Sequence, residues 1–134
     1  LSSGGTLCLS KDHGYNWQQV NSMNGKGGNL LYNGQEFRLY SGSTVYRSTD
    51  GESWEEQTLE TLNFSRFGAG IKLVTYHPKS KKYVAFSTKA GAQSEIYYSA
   101  DGLKWSLVEE NNRPSSMHKW KYVKAGQLTS CAAD

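Results

Sequence analysis

The stretch Ser99-Ala100-Asp101-Gly102-Leu103-Lys104-Trp105 recurs in this chain, and its recurrence decides the fold. Ser48-Thr49-Asp50-Gly51-Glu52-Ser53-Trp54 is the same S-x-D-G-x-x-W pattern. Ser10-Lys11-Asp12-His13-Gly14-Tyr15-Asn16-Trp17 repeats it with one residue inserted between Asp and Gly. Three of the four tryptophans stand in this one motif, which marks an internal repeat. An Asp two residues after a Ser suits an Asx-type turn, because its short carboxylate can accept from backbone N–H groups just ahead of it.

Working outward, each copy follows an alternating apolar segment: Thr6-Leu7-Cys8-Leu9, Thr44-Val45-Tyr46-Arg47 and Glu95-Ile96-Tyr97-Tyr98. Further strand-like runs lie upstream at Glu36-Phe37-Arg38-Leu39-Tyr40 and Lys82-Tyr83-Val84-Ala85-Phe86. A short one follows the tryptophans, as in Gln18-Gln19-Val20 and Ser106-Leu107-Val108. Such runs, punctuated by D-G turns, read as strands joined in hairpins. No window holds helical apolar spacing without interruption.

Asp12 and Asp50 are 38 residues apart, Asp50 and Asp101 are 51 apart, and joining the two ends of the chain makes the third interval 45. Four-stranded units have about this length. Gly126-Gln127-Leu128-Thr129-Ser130-Cys131 leads into Gly5-Thr6-Leu7-Cys8 much as Gly34-Gln35-Glu36-Phe37-Arg38-Leu39 leads into Ser43-Thr44-Val45-Tyr46. One unit is therefore expected to be shared between the two ends. Cys8 and Cys131 then fall on adjacent strands, where a disulfide is expected; the alternative is two unrelated buried thiols.

Composition bounds the rest. At 134 residues the chain is one domain, spanning 1–134 with its turns at 10–17, 48–54 and 99–105. A mean hydropathy of −0.68, with no run near the roughly 20 apolar residues of a spanning helix, argues against membrane insertion. An aromatic content of 13% argues against disorder, and a net charge of only +3 argues against a dedicated nucleic-acid binder. Leu1-Ser2-Ser3 reads like a processed N-terminus, and with the expected disulfide it points to a secreted, extracellular protein.

The three turns and their leading strands resemble the Asp-box, or BNR, repeats of sialidases and sortilin-like receptors, over nearly the whole chain. The resemblance implies an all-β, propeller-like fold of three four-stranded blades, one closed by both termini. It makes Ser10, Asp12, Gly14, Trp17, Ser48, Asp50, Gly51, Trp54, Ser99, Asp101, Gly102 and Trp105 structural, with each tryptophan packed between blades. Propellers usually have four to eight blades. A two-fold homodimer making a six-bladed ring is therefore expected, with a compact three-bladed monomer as the alternative.

The catalytic signature of the sialidases that the chain resembles is missing. They use three arginines, a Tyr–Glu pair and an Arg-Ile-Pro motif; this chain has Arg38, Arg47, Arg66 and Arg113, and Arg113-Pro114 is the nearest match. Glu55-Glu56 and Glu109-Glu110 are neighbours in sequence, and on a strand neighbours point to opposite faces. His13, His77 and His118 occupy unrelated repeat positions, and there is no H-x-x-x-H or C-x-x-C. No catalytic residue, metal or cofactor is expected. The alternatives are a small secreted hydrolase, glycosidase or ribonuclease-like, and a protein-binding effector or adhesion module.

Binding residues are expected in the loops entering the innermost strands, at 21–29, 61–70 and 109–118. Each brings one cation: Lys26, Arg66 and Arg113. Phe67 and His118 lie among them, and Trp120, the one tryptophan outside a turn, follows. Cations beside aromatic rings suit an anionic ligand, so the expected function is lectin-like binding of an acidic glycan. The bland alternative makes the cations solvated loop residues and Trp120 core. Lys79-Ser80-Lys81-Lys82, beside Pro78, reads as a solvated hairpin tip.

Overall fold

The computed structural model describes residues 5–61, 73–87 and 95–112, and in them the chain is all β, as the alternating runs predict. Strands β1 (Cys8–Leu9) and β2 (Gln18–Gln19) pair antiparallel across the first turn. Strands β3 (Asn29–Tyr32), β4 (Phe37–Ser41), β5 (Thr44–Ser48) and β6 (Glu55–Thr58) form a sequential antiparallel sheet, with the second turn between β5 and β6. After β7 (Glu60–Thr61), the strands β8 (Leu73–His77), β9 (Lys82–Ser87), β10 (Glu95–Ser99) and β11 (Lys104–Leu107) repeat that order, with the third turn between β10 and β11. Helical structure among the described residues is confined to 3₁₀ turns such as Asn21–Met23.

Among the described residues, strand β7 is the one departure from a meander. It pairs parallel with β11, extending the outer edge of the third sheet immediately after the chain leaves the outer strand of the second. The Leu59 N–H donates to the Ser43 carbonyl at 2.8 Å, and the next N–H, of Glu60, donates to Leu103 at 3.2 Å. Successive amides thus tie the two sheets together.

The register makes the two larger sheets equivalent position by position. Ser48 stands opposite Phe37, and Ser99 stands opposite Tyr83, so Val84 occupies on β9 the place that Arg38 holds on β4. Side chains on a strand alternate between faces, and β4 uses both. Leu39 joins Leu7, Val20 and Met23 in a cluster against the first sheet. Tyr40 joins Leu31, Val45 and Leu59 against Val74, Tyr83, Ala85, Tyr97 and Trp105 of the third sheet. Burial of these apolar faces at about 25 cal/mol per Å² is the main force holding the sheets together.

Strands β3 and β8 are also bridged by the side chain of Asn29. The Asn29 amide nitrogen donates to the Val74 carbonyl and its oxygen accepts from the Val74 N–H, both at 3.2 Å, so the amide substitutes for a paired strand between β3 and β8. Among the described residues the sheets do not close into a barrel or ring. Cys8 is disulfide-bonded. Cys131, with the run 126–131 expected to complete the first sheet, lies outside the described residues.

Candidate functional site

The three turns share one hydrogen-bond pattern. The hydroxyls of Ser10, Ser48 and Ser99 donate to Oδ1 of Asp12, Asp50 and Asp101 at 2.9, 3.0 and 3.0 Å. Each hydroxyl oxygen in turn accepts from the N–H of Gly14, Gly51 or Gly102 at 2.7, 2.8 and 2.8 Å. Asp50 Oδ1 also accepts from the N–H groups of Glu52 and Ser53, and Asp101 Oδ1 from those of Leu103 and Lys104. The extra residue in the first turn shifts this role to Asn16, whose backbone and side-chain amides both donate to Asp12.

These donors hold all three carboxyls below the usual range. For Asp50 the Ser53 and Glu52 amides are responsible, and for Asp12 it is Asn16. At Asp101 burial pushes upward, but the Lys104 and Leu103 amides outweigh it. The carboxylates are committed to their turns.

The tryptophans are not equivalent. Trp17 and Trp54 donate their indole N–H to the carbonyls of Gly14 and Gly51, at 3.0 and 2.9 Å. The Gly102 carbonyl instead accepts from the Tyr40 hydroxyl at 3.0 Å, and the buried Trp105 N–H has no partner among the described residues. Trp105 is 4% exposed and meets Tyr40 and Tyr83 edge-on, at centroid distances of 6.1 and 6.4 Å. Burial pushes the Tyr40 phenol up to about 12, so it remains a donor. Trp17, expected from the resemblance to pack between sheets like the others, is 54% exposed.

Arg38 fastens the third turn to the second sheet. Its Nη1 donates to the Asp101 carbonyl, and its guanidinium lies 5.1 Å from the centre of the Tyr83 ring. Its Nε donates to Glu36 Oε1 at 2.7 Å, and Arg47 Nε reaches the same oxygen at 2.8 Å. Burial pushes the Glu36 carboxyl upward, but the two guanidiniums win and hold it below its usual range.

This contact forms the floor of a cleft of about 770 Å³ between the β3–β4 turn, the β8–β9 hairpin and the third turn. One wall is Tyr32, 53% exposed and packed at 4.9 Å on Phe37. The other is Tyr76, whose ring lies tilted at 46° against Tyr83 with centroids 4.7 Å apart. Asn33 shapes the first wall: its oxygen accepts from the N–H groups of Gln35 and Glu36, and its amide donates to the Tyr83 hydroxyl at 2.7 Å. Gln35 is left exposed at the mouth with Lys81. The hairpin tip is fixed by His77, whose Nδ1 accepts from the Ser80 N–H at 3.2 Å, and it carries Lys79, Lys81 and Lys82, all exposed.

The cleft lies at the opposite end of β3 from the loop where ligand residues are expected. Of those residues Lys26 is described. It is half-buried, with its ammonium 5.1 Å from the centre of the Tyr46 ring; hydrogen bonding to that phenol and attraction to it raise the lysine's proton affinity. Arg66, Phe67, Arg113, His118 and Trp120 lie outside the described residues. The chain-local signal for the cleft is Tyr32-Asn33-Gly34-Gln35, an Asx turn with an aromatic residue before it. Its partner Tyr76 is far away in sequence, which hides the pairing. A smaller apolar pocket of about 210 Å³ lies between the first and second turns, lined by Trp17, Leu30, Phe37 and Trp54. No cluster of metal-ligating side chains occurs among the described residues. No family model, curated protein or solved structure shows significant similarity to the chain.

Proposed function

We propose that this chain is a secreted recognition protein of the Asp-box β-propeller type, which holds an acidic glycan in the cleft between its second and third sheets without turning it over. The observation that carries the reading is the convergence of Tyr32, Tyr76, Gln35 and Lys81 on one cleft. Aromatic faces suit the C–H faces of a pyranose, an exposed amide suits its hydroxyls, and an ammonium group pairs with a carboxylate or sulfate. Asp101, the one carboxylate lining the cleft among the described residues, has its Oδ1 committed to the turn, and Arg38 is already bonded in the floor. Those groups shape the cleft; the tyrosines, amide and lysine are the ones offered to a ligand. The propeller reading is supported by equivalent four-stranded meanders, turns between third and fourth strands, and inner strands joined by Asn29.

The test is binding to an array of neutral, uronic and sulfated glycans, followed by calorimetry on the best ligand. Tyr32→Ala is expected to weaken binding by about ten- to a hundredfold, the equivalent of roughly 1.5–3 kcal/mol for an aromatic contact. Lys81→Glu is expected to weaken it and to remove its dependence on salt. Unchanged affinity in both variants, with the fold intact by circular dichroism, would place the ligand elsewhere.

A further inference from the structure

In two of the three turns the glycine is pressed against the sheet before it. A Cβ at Gly51 would stand 2.9 Å from Leu9 Cδ1 in the first sheet, and one at Gly102 would stand 2.6 Å from the Tyr40 hydroxyl in the second. The tryptophans follow suit. Trp54 packs on the cluster between the first and second sheets, and Trp105 is buried in the one between the second and third. The residue two before the tryptophan behaves likewise in the third turn, where Leu103 packs against the core.

The first turn keeps the Ser–Asp and Ser–Gly bonds, and among the described residues it has no such cover. A Cβ at Gly14 would meet only Trp17 of its own turn. Trp17 is 54% exposed, and Tyr15, in the position of Leu103, is 85% exposed. Two large rings of the first turn are therefore exposed where Trp105 and Leu103 of the third turn pack into the core, and exposed apolar surface of this kind marks interaction surfaces.

We propose that this face docks on the third sheet of a second copy of the chain, as the third turn docks on the second sheet within one copy. The receiving surface follows from register. Val84 takes the place of Arg38, and its cross-strand neighbour Tyr98 is 51% exposed. The contact is head-to-tail, so two copies related by a two-fold axis make it twice and close a ring of six sheets. The inference is independent of what the cleft binds and is read without a glycan.

The experiment is light scattering on the intact chain over a dilution series. The expected mass is twice 14.9 kDa. Tyr15→Glu and Tyr98→Glu are each expected to give the single-chain mass with an unchanged circular dichroism spectrum. Mixing the two variants is expected to restore a two-chain species, because one of its two contacts then carries neither substitution. A single-chain mass for the unaltered protein overturns the proposal. So does a two-chain mass that survives Tyr15→Glu, or one that responds to Tyr15→Glu alone, which would mean that two first turns face each other.

Discussion

Replacing Gly102 by alanine isolates the docking of the third turn from the intrinsic strain of its backbone, provided Gly34→Ala is measured beside it. Both glycines have positive φ, +74° and +92°, where a Cβ costs about 1–2 kcal/mol. At Gly34 nothing lies within 4 Å of the added carbon, so the cost ends there. At Gly102 the carbon falls 2.6 Å from the Tyr40 hydroxyl and 3.1 Å from Tyr83 Cε1, and also overlaps the Arg38 guanidinium. None of these is a loose side-chain end, because Arg38, Tyr40 and Tyr83 are all buried and bonded. Relieving the overlap is expected to add about 1–3 kcal/mol for overpacking and about 1 kcal/mol for the strained Tyr40–Gly102 hydrogen bond. Gly102→Ala should thus cost roughly 2–4 kcal/mol more than Gly34→Ala, a further loss on the order of 10 °C in melting temperature. Urea and thermal unfolding of the two variants, side by side, give the difference directly. Equal losses would mean that the third turn is not held against the second sheet, and the cleft floor described above would be wrong.

Other outcomes follow from the same contacts. Glu36 is held below its usual range, so its ion pairs stabilise the fold fully above about pH 4.3 and are lost as pH falls through its lower folded value. Glu36→Gln should flatten that acid limb in melts taken from pH 7 down to pH 2. It should also cost about 3 kcal/mol at neutral pH, because Arg38 is left buried without its carboxylate. Asn29→Leu removes both bonds to Val74 and strands that residue's N–H and carbonyl, for an expected loss of about 2–3 kcal/mol in urea unfolding. Asn29→Gln should not restore the stability, since its longer arm misplaces the amide.

The turns and strands were legible in the sequence because their bonds are local. Each Ser–Asp contact spans two residues, and the amides that Asp50 and Asp101 capture lie two or three residues on. Hairpin register followed from the same turns. The fate of individual side chains did not, since it depends on which sheet lies opposite. Arg38 reads as an ordinary strand residue, yet it is buried because a carbonyl 63 residues later accepts from it. Trp17 and Trp105 occupy matching places in the motif, and one is open while the other is core. The cleft was missed for a related reason: Tyr32 and Tyr76 belong to different repeats and become neighbours only when the sheets pack. Lys26 was legible as a loop cation but not as a partner of Tyr46, which lies on β5.

The short parallel strand β7 has a consequence for how the protein avoids sticking to itself. An unpaired sheet edge is a template on which another chain can add and begin a fibril. In the third sheet that edge would be β11, and the two residues of β7 occupy part of it with backbone from the same molecule. The second sheet ends on β6, whose Glu55 and Glu56 are both exposed and put charge on either face of the strand, where an incoming strand would have to bury it. Among the described residues, the β11 edge is thus capped in part by the chain's own backbone, and the β6 edge is guarded by charge.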